Sequence, residues 1–283
     1  MKRLELWKSH PLPELGRNKA SFGMKHIQSR DNPFFRELAR LTGSARQRRK
    51  AGQTLLDGAH LLAAYLDAGK QPQHILLNKA ALHDPEVASL LGRTAGAQVT
   101  QLEDGLFAVL SELKTPTGIL ALIDLPQTDV AIADSHFALL LEDIQDPGNL
   151  GSMLRSAAAA GCDSVFLSSG CADAWSPKVL RSSMGGHFAL NIYEHQDLQA
   201  VAKGFPGKLL AASLRAKDSL YDRDLCGDLA FMVGNEGAGL SEALLGLAKN
   251  QINIPMLGKM ESLNAAAAAA ICLFEAVRQR QSL

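Results

Sequence analysis

Cysteine is scarce in this chain, with 4 in 283 residues, and Cys162, Cys171, Cys226 and Cys272 form no C-x-x-C pair and have no His partner at metal-ligand spacing. A zinc site is therefore not expected, and structural thiols are. Long apolar runs are missing too. The opening Met1-Lys2-Arg3-Leu4-Glu5-Leu6-Trp7-Lys8 is charged at short intervals, and nothing after it is long enough for a signal or transmembrane segment. The expected location is the cytoplasm. No Gly-x-x-x-x-Gly-Lys-Ser/Thr occurs, which argues against a nucleotide hydrolase. Net charge is absent as well, at 29 Lys+Arg against 29 Asp+Glu. The balance is nevertheless uneven: residues 1–50 hold 13 basic against 4 acidic side chains, leaving 16 against 25 for the rest. Such asymmetry suggests a basic arm or face that meets a polyanion. Arg46, Arg48, Arg49 and Lys50 are its densest cluster.

What is present fits a two-domain globular chain, since its length is a prior for about two domains and 47% of its residues are hydrophobic. Residues 1–24, with Pro11, Pro13 and Gly16, show no sustained period and read as an extension. Residues 25–125 alternate helix and short strand. Asn32-Pro33 supplies turn and cap chemistry, and Phe34, Phe35, Leu38, Ala39 and Leu41 predict a helix ending near Gly43. Strands are predicted at Thr54–Leu56, at His74–Leu77 and ending at Gln98-Val99, with helices over Gly58–Ala68, Pro85–Leu91 and Glu103–Ser111. Residues 126–134 are polar and proline-bearing, as a linker would be. In residues 135–283, strands at 137–141, 164–167, 188–192, 208–212, 229–233 and 251–254 alternate with helices over 149–160, 177–184, 198–202, 241–247 and 264–279. That alternation predicts a parallel sheet covered on both faces.

Three glycine-bearing segments follow apolar runs in this second half: Asp146-Pro147-Gly148-Asn149-Leu150-Gly151, Gly234-Asn235-Glu236-Gly237-Ala238-Gly239 and Ile254-Pro255-Met256-Leu257-Gly258. Open α/β sheets bind ligands at the carboxyl ends of their strands, so the three segments predict one site. Asn149, Arg155, Glu236, Ser262 and Asn264 are its polar candidates. Each also has a plain structural reading. Asn149 reads as the N-cap of the helix it opens, and Ser262 or Asn264 as the cap of the helix begun by Ala265–Ala270. Arg155 reads equally as a solvated surface cation, and Glu236 as part of a turn at a strand exit. Lys178 and Arg181 lie with Ser182 on a helix before Gly185-Gly186-His187; they are either a phosphate-holding face or an ordinary surface. His187 reads as packed rather than as a general base.

Residues Leu139–Gly161, Phe231–Ser241 and Ile252–Ile271 resemble, in order, the three motifs of the SpoU (TrmH-type) RNA ribose 2′-O-methyltransferases of the SPOUT superfamily. Pro255, Met256, Gly258, Ser262, Leu263 and Asn264 match the third, Pro-Met-x-Gly-x-x-x-Ser-Leu-Asn; the alanine tract beyond departs from the family's more varied helix. The resemblance implies a deep trefoil knot, S-adenosyl-L-methionine as donor, a homodimer, and RNA, ribosomal more than transfer, as substrate. It places the catalytic machinery on Asn149, Arg155, Glu236, Ser262 and Asn264, with Glu236 holding the asparagine or the arginine. It places donor contacts on Ala212, Gly234, Ile254, Met256 and Leu263. Ile27, Ser29, Asn32, Leu41 and Leu56-Asp57-Gly58 are similar to the substrate-binding domain that precedes many such catalytic domains, a ribosomal-protein-like α/β fold. RNA contacts are expected at Arg46, Arg48, Arg49, Lys50, Lys178 and Arg181. Base methylation and a nonenzymatic RNA-binding assembly factor are the competing readings. The Ser262-Leu263-Asn264 and Asn149/Arg155 pairing favours ribose over base, and the full set of polar positions favours an enzyme.

Overall fold

The computed structural model describes residues 24–281 except 114 and 128–130, so all but the last residue of the expected extension lies outside the described residues. In the first half, β1 (Lys25–Ile27), β2 (Gln53–Asp57), β3 (His74–Leu77), β4 (Gln98–Leu102) and β5 (Ile119–Asp124) form one sheet in the order β1-β4-β3-β5-β2. β1, β4 and β3 run parallel, and β5 runs antiparallel to both β3 and β2. The helices are α1 (Pro33–Gly43), α2 (Ala45–Ala51), α3 (Ala59–Asp67), α4 (Pro85–Leu91) and α5 (Asp104–Leu110). Asn32 starts α1 by accepting from the amides of Phe34 and Phe35, and Phe35, Leu38 and Leu41 bury its apolar stripe. The cationic cluster forms a helix of its own: Ser44 caps α2, and Gly52, at φ 64°, ends it in the left-handed conformation.

The second half carries β6 (Phe137–Leu141), β7 (Ser164–Leu167), β8 (Asn191–Tyr193), β9 (Lys208–Ala212), β10 (Leu229–Val233) and β11 (Asn250–Ile252). All pair in parallel, in the order β11-β9-β10-β6-β7-β8. Alternation along a strand sends Leu139, Leu141, Phe231 and Val233 to one face and Ala138, Leu140, Ala230 and Met232 to the other. The first set packs with α6 (Pro147–Ala160), α7 (Pro177–Ser183) and α10 (Ala265–Gln281) through Leu150, Met153, Leu154, Val179 and Leu273. The second packs with α8 (Leu198–Gly204) and α9 (Glu242–Leu247) through Leu198, Val201 and Leu244. The sheet is thus covered on both sides, as the alternation predicts. The first core continues into the N-terminal half through Leu56, Leu62 and Tyr65, and Tyr65 meets Phe188 edge-on at 5.1 Å. Among the described residues no helix is long and apolar enough to cross a membrane.

Three predicted strands are corrected. The strand expected to end at Gln98-Val99 begins at Gln98 and runs to Leu102. The strand expected over 188–192 is a single 3-10 turn at Gly186–Ala189 followed by β8, because His187 and Phe188 turn inward to pack. The strand expected over 251–254 is Asn250–Ile252, and Asn253 instead bridges to Ser219.

His187 is fully enclosed. Its Nε2 lies 2.6 Å from the Ala174 carbonyl, which can only accept, and its Nδ1 lies 2.6 Å from Ser183 Oγ. Burial pushes its pKa down to about 4 from 6.5. The unfolded chain takes up this proton below pH 6.5 and the folded chain resists it until about pH 4, so the stabilisation is present above 6.5 and lost across that window. At about 1.4 kcal/mol per unit the loss is on the order of 3 kcal/mol. His187→Gln is therefore expected to flatten the pH dependence of the denaturant midpoint between pH 6.5 and 4; parallel curves for the two proteins would refute it.

Candidate active site

The carboxyl ends of β9, β10 and β11 open into a cleft of about 320 Å³, within the range of small-molecule sites. Ala212, Gly234, Glu236, Ile254, Met256, Ser262 and Leu263 all line it, so seven of the residues singled out in the sequence share one cavity. The loop after β10 forms one wall and is held by its own side chain. Asn235 Oδ1 accepts from the amides of Gly237 and Ala238 at 2.9 and 3.0 Å, and Asn235 Nδ2 donates to the Asp143 carbonyl at 2.9 Å. Asp143 sits in the left-handed region at φ 53° and is itself tied to Ser168. Glu142 accepts from the Ser241 amide at 2.7 Å and fixes the far end of the loop.

The loop itself requires Gly234. A Cβ there would lie 2.2 Å from the carbonyl carbon of Gly239 and 2.3 Å from the Leu240 nitrogen, where backbone already stands.

Three polar residues are joined in one directed chain. Asn264 caps α10, its Oδ1 accepting from the amides of Ala266 and Ala267 at 2.9 and 3.3 Å. That assignment leaves Nδ2 of Asn264 as donor, and it donates to Asn149 Oδ1 at 2.9 Å. Asn149 must then present Nδ2 outward, and it donates to Glu236 Oε1 at 2.9 Å. The helix cap thus sets the polarity of the whole chain, which ends on a carboxylate whose Oε2 makes no hydrogen bond among the described residues. Asn149 is not the N-cap of α6, contrary to the plain sequence reading. Pro147 occupies the first turn, and Asp146 caps it by accepting from the Asn149 amide at 2.7 Å. The Asn149 side chain is therefore released to reach Glu236.

Arg155 lies further along α6, exposed, and outside the cleft lining. Among the described residues it makes no hydrogen bond or ion pair. Ser262 lines the cleft, and its side chain makes no hydrogen bond among the described residues. The expected RNA contacts divide. Arg46, Lys50 and Lys178 are exposed. Arg48 is corrected: it is buried at 4% exposure and ion-paired to Asp173, so it is not available to phosphate. Arg49 hydrogen-bonds His195, and Arg181 lies 3.8 Å from Glu112. Asn235, Asp143 and Asp146 escaped the sequence reading as structural supports of the site. Asp146-Pro147 carried a usable signal, since proline favours the first helical position.

The cleft suits a nucleoside-bearing sulfonium donor. Val233, Leu240, Ile252 and Leu263 offer apolar surface. Among the described residues, the backbone amides of Ile254, Met256, Ser262 and Leu263, which line the cleft, donate to no protein acceptor and so remain open to a ligand. No group of three His, Cys, Asp or Glu among the described residues is placed to hold a metal ion.

Residues 136–274 match the model of the SpoU rRNA methylase family, and residues 32–121 match that of the MRM3-like substrate-binding domain. An uncharacterized tRNA/rRNA methyltransferase of Synechocystis sp. is 34% identical, the alignment covering 90% of this chain and 94% of that protein. The 23S rRNA (guanosine(2553)-2′-O)-methyltransferase of Bacillus subtilis is 33% identical over 89% of this chain and 98% of its own. The solved structure of the SpoU methyltransferase AviRb from Streptomyces viridochromogenes, in complex with AdoMet, superposes with a TM-score of 0.78 at 29% identity, covering 89% of this chain and 100% of that one. Fold, motif order and full-length similarity converge: the chain belongs to the SpoU rRNA methylase family and carries its trefoil-knot α/β fold.

Proposed function

We propose that this protein methylates a ribose 2′-hydroxyl in ribosomal RNA, with S-adenosyl-L-methionine as donor. The observation that carries the reading is the Asn264–Asn149–Glu236 chain, which delivers an open carboxylate oxygen at the lip of the donor cleft. Bound S-adenosylmethionine supplies a methyl carbon already attached to a good leaving group. The chain's own task is then to align the hydroxyl oxygen with that carbon and to take the hydroxyl proton. As the O–C bond forms and the S–C bond breaks, Glu236 Oε2 receives the proton. Arg155 does not serve as base, because a guanidinium offers five N–H donors and no acceptor atom. It positions the RNA phosphate and hydroxyl instead. Ser262 and the wall at Ala212, Ile254, Met256 and Leu263 hold the donor.

The named 23S rRNA specificity of the Bacillus relative supports ribosomal over transfer RNA. The protein works in the cytoplasm as a homodimer. Leu257, Met260 and Phe274 stand exposed on and beside the α10 approach, an apolar surface that a second copy would cover. The deciding experiment compares 2′-O-methylated nucleosides in digests of ribosomal and transfer RNA from cells with and without the gene. One ribosomal nucleoside is expected to vanish and to return with the wild-type gene. Digests that match in every nucleoside would reject the reading.

A further inference from the structure

The four cations of α2 face two ways. On a helix, residues four apart share a face and residues two apart lie on opposite sides. Arg46 and Lys50 therefore project together, and both are exposed. Like charges so placed repel, and a bound polyanion would relieve that repulsion. Arg48 faces away from them into the protein. Its Nε donates to Asp173 Oδ2 at 2.9 Å, Nη2 donates to the same oxygen, and Nη1 donates to the carbonyls of Leu41 and Thr42. Arg49 bonds to His195 just beyond β8.

Asp173 opens a segment that touches both halves of the molecule. Thr54 Oγ1, on β2, donates to the Trp175 carbonyl at 2.9 Å. Asp173 Oδ1 accepts from the Trp175 amide at 3.1 Å, and Glu194 accepts from the Ala174 amide at 2.9 Å. Further along, a Cβ on Gly185, at φ +89°, would lie 2.5 Å from the Ala64 methyl of α3. A Cβ on the adjacent Gly186 would lie 3.2 Å from the Cα of Arg155. Gly185 admits no side chain and Gly186 has little room for one, so this segment packs closely between the N-terminal half and the helix that bears Arg155.

We infer that Arg48 is a positioning residue: locked on Asp173, it fixes α2 to the catalytic half, so that phosphate held by Arg46 and Lys50 lies at a set distance from Arg155 and the donor cleft. The inference rests on the methyltransferase reading above. Ordinary surface arginines would move with the N-terminal domain alone; this one ties the RNA-holding face to the chemistry.

The test uses the full-length protein, S-adenosylmethionine and an unmodified 23S ribosomal RNA transcript. Arg48→Met with Asp173→Asn removes both charges together, so neither is left buried and unpaired. This double variant is expected to bind donor and transcript within about twofold of wild type, yet to react on the order of tenfold or more slowly in a single turnover at saturating RNA. Its small-angle scattering is expected to show a broader spread of interdomain distances. Arg46→Ala with Lys50→Ala should show the opposite signature, weaker transcript binding with a flatter salt dependence. A double lock variant with wild-type rate, with wild-type scattering, or with lost donor binding would overturn the inference. If wild type itself leaves the transcript unmethylated, the functional reading fails, and scattering still decides the lock.

Discussion

Arg155→Ala is expected to slow single-turnover methylation on the order of 10²-fold or more while leaving donor affinity unchanged. The guanidinium is exposed on α6, lies outside the cleft lining, and has no protein partner among the described residues. A side chain so placed contributes little to folding, so the thermal midpoint should stay within a degree or so of wild type. Its backbone is fixed, with Gly186 packed against its Cα and Leu154 buried beside it. A rigid stem carrying a free, planar donor suits an RNA oxygen that gathers charge only as the methyl group moves. Arg155→Lys should recover part of the rate, because an ammonium keeps the charge and loses the fork. Near-normal turnover in the alanine variant, measured with saturating donor and RNA, would make Arg155 a surface arginine and reassign the chemistry.

The difference between Arg155 and Arg48 shows where a sequence stops speaking. Both are arginines in helices with mixed neighbours, and the cluster Arg46 to Lys50 reads as one solvated cationic face. The partner that buries Arg48 is Asp173, 125 positions away, and no local period announces it. The sheet of the second half was legible because its strands are short apolar runs buried on both faces and separated by helical periods. β5 escaped because Ile119-Leu120-Ala121-Leu122-Ile123 does not alternate, and a short apolar run cannot be told from a helix segment by period alone; Pro116 and Gly118 before it and Pro126 after it were the usable signal. Asn149, Glu236 and Asn264 were legible together, since each lies in a segment that follows a strand, whereas Arg155 stands well along α6. Their wiring was not. That Asn264 is at once a helix cap and the first donor in a chain reaching Glu236 depends on three loops meeting, and a knotted topology brings them together.

Gly234→Ala is expected to abolish donor binding even though it adds a single methyl group. The residue follows β10 directly and is buried, and its missing side chain is replaced by the returning backbone of Gly239 and Leu240. A Cβ at 2.2 to 2.3 Å from three backbone atoms cannot be absorbed by a rotamer change, so the loop itself must open. Opening it breaks the Asn235 bond to the Asp143 carbonyl and draws Glu236 away from Asn149. Both the donor wall and the proton acceptor are then displaced at once. The sheet beneath is untouched, because β10 remains paired on both sides from Leu229 to Met232. Circular dichroism should therefore report a folded chain while calorimetry with S-adenosylmethionine shows a loss on the order of 100-fold or complete loss of binding. Gly237→Ala is the control from the same loop: its added Cβ would meet only Asn235 Oδ1, at an ordinary 3.5 Å, and binding should persist. Donor binding of wild-type strength in the Gly234 variant, or equal loss in both variants, would separate the cleft from this loop and move the donor site elsewhere.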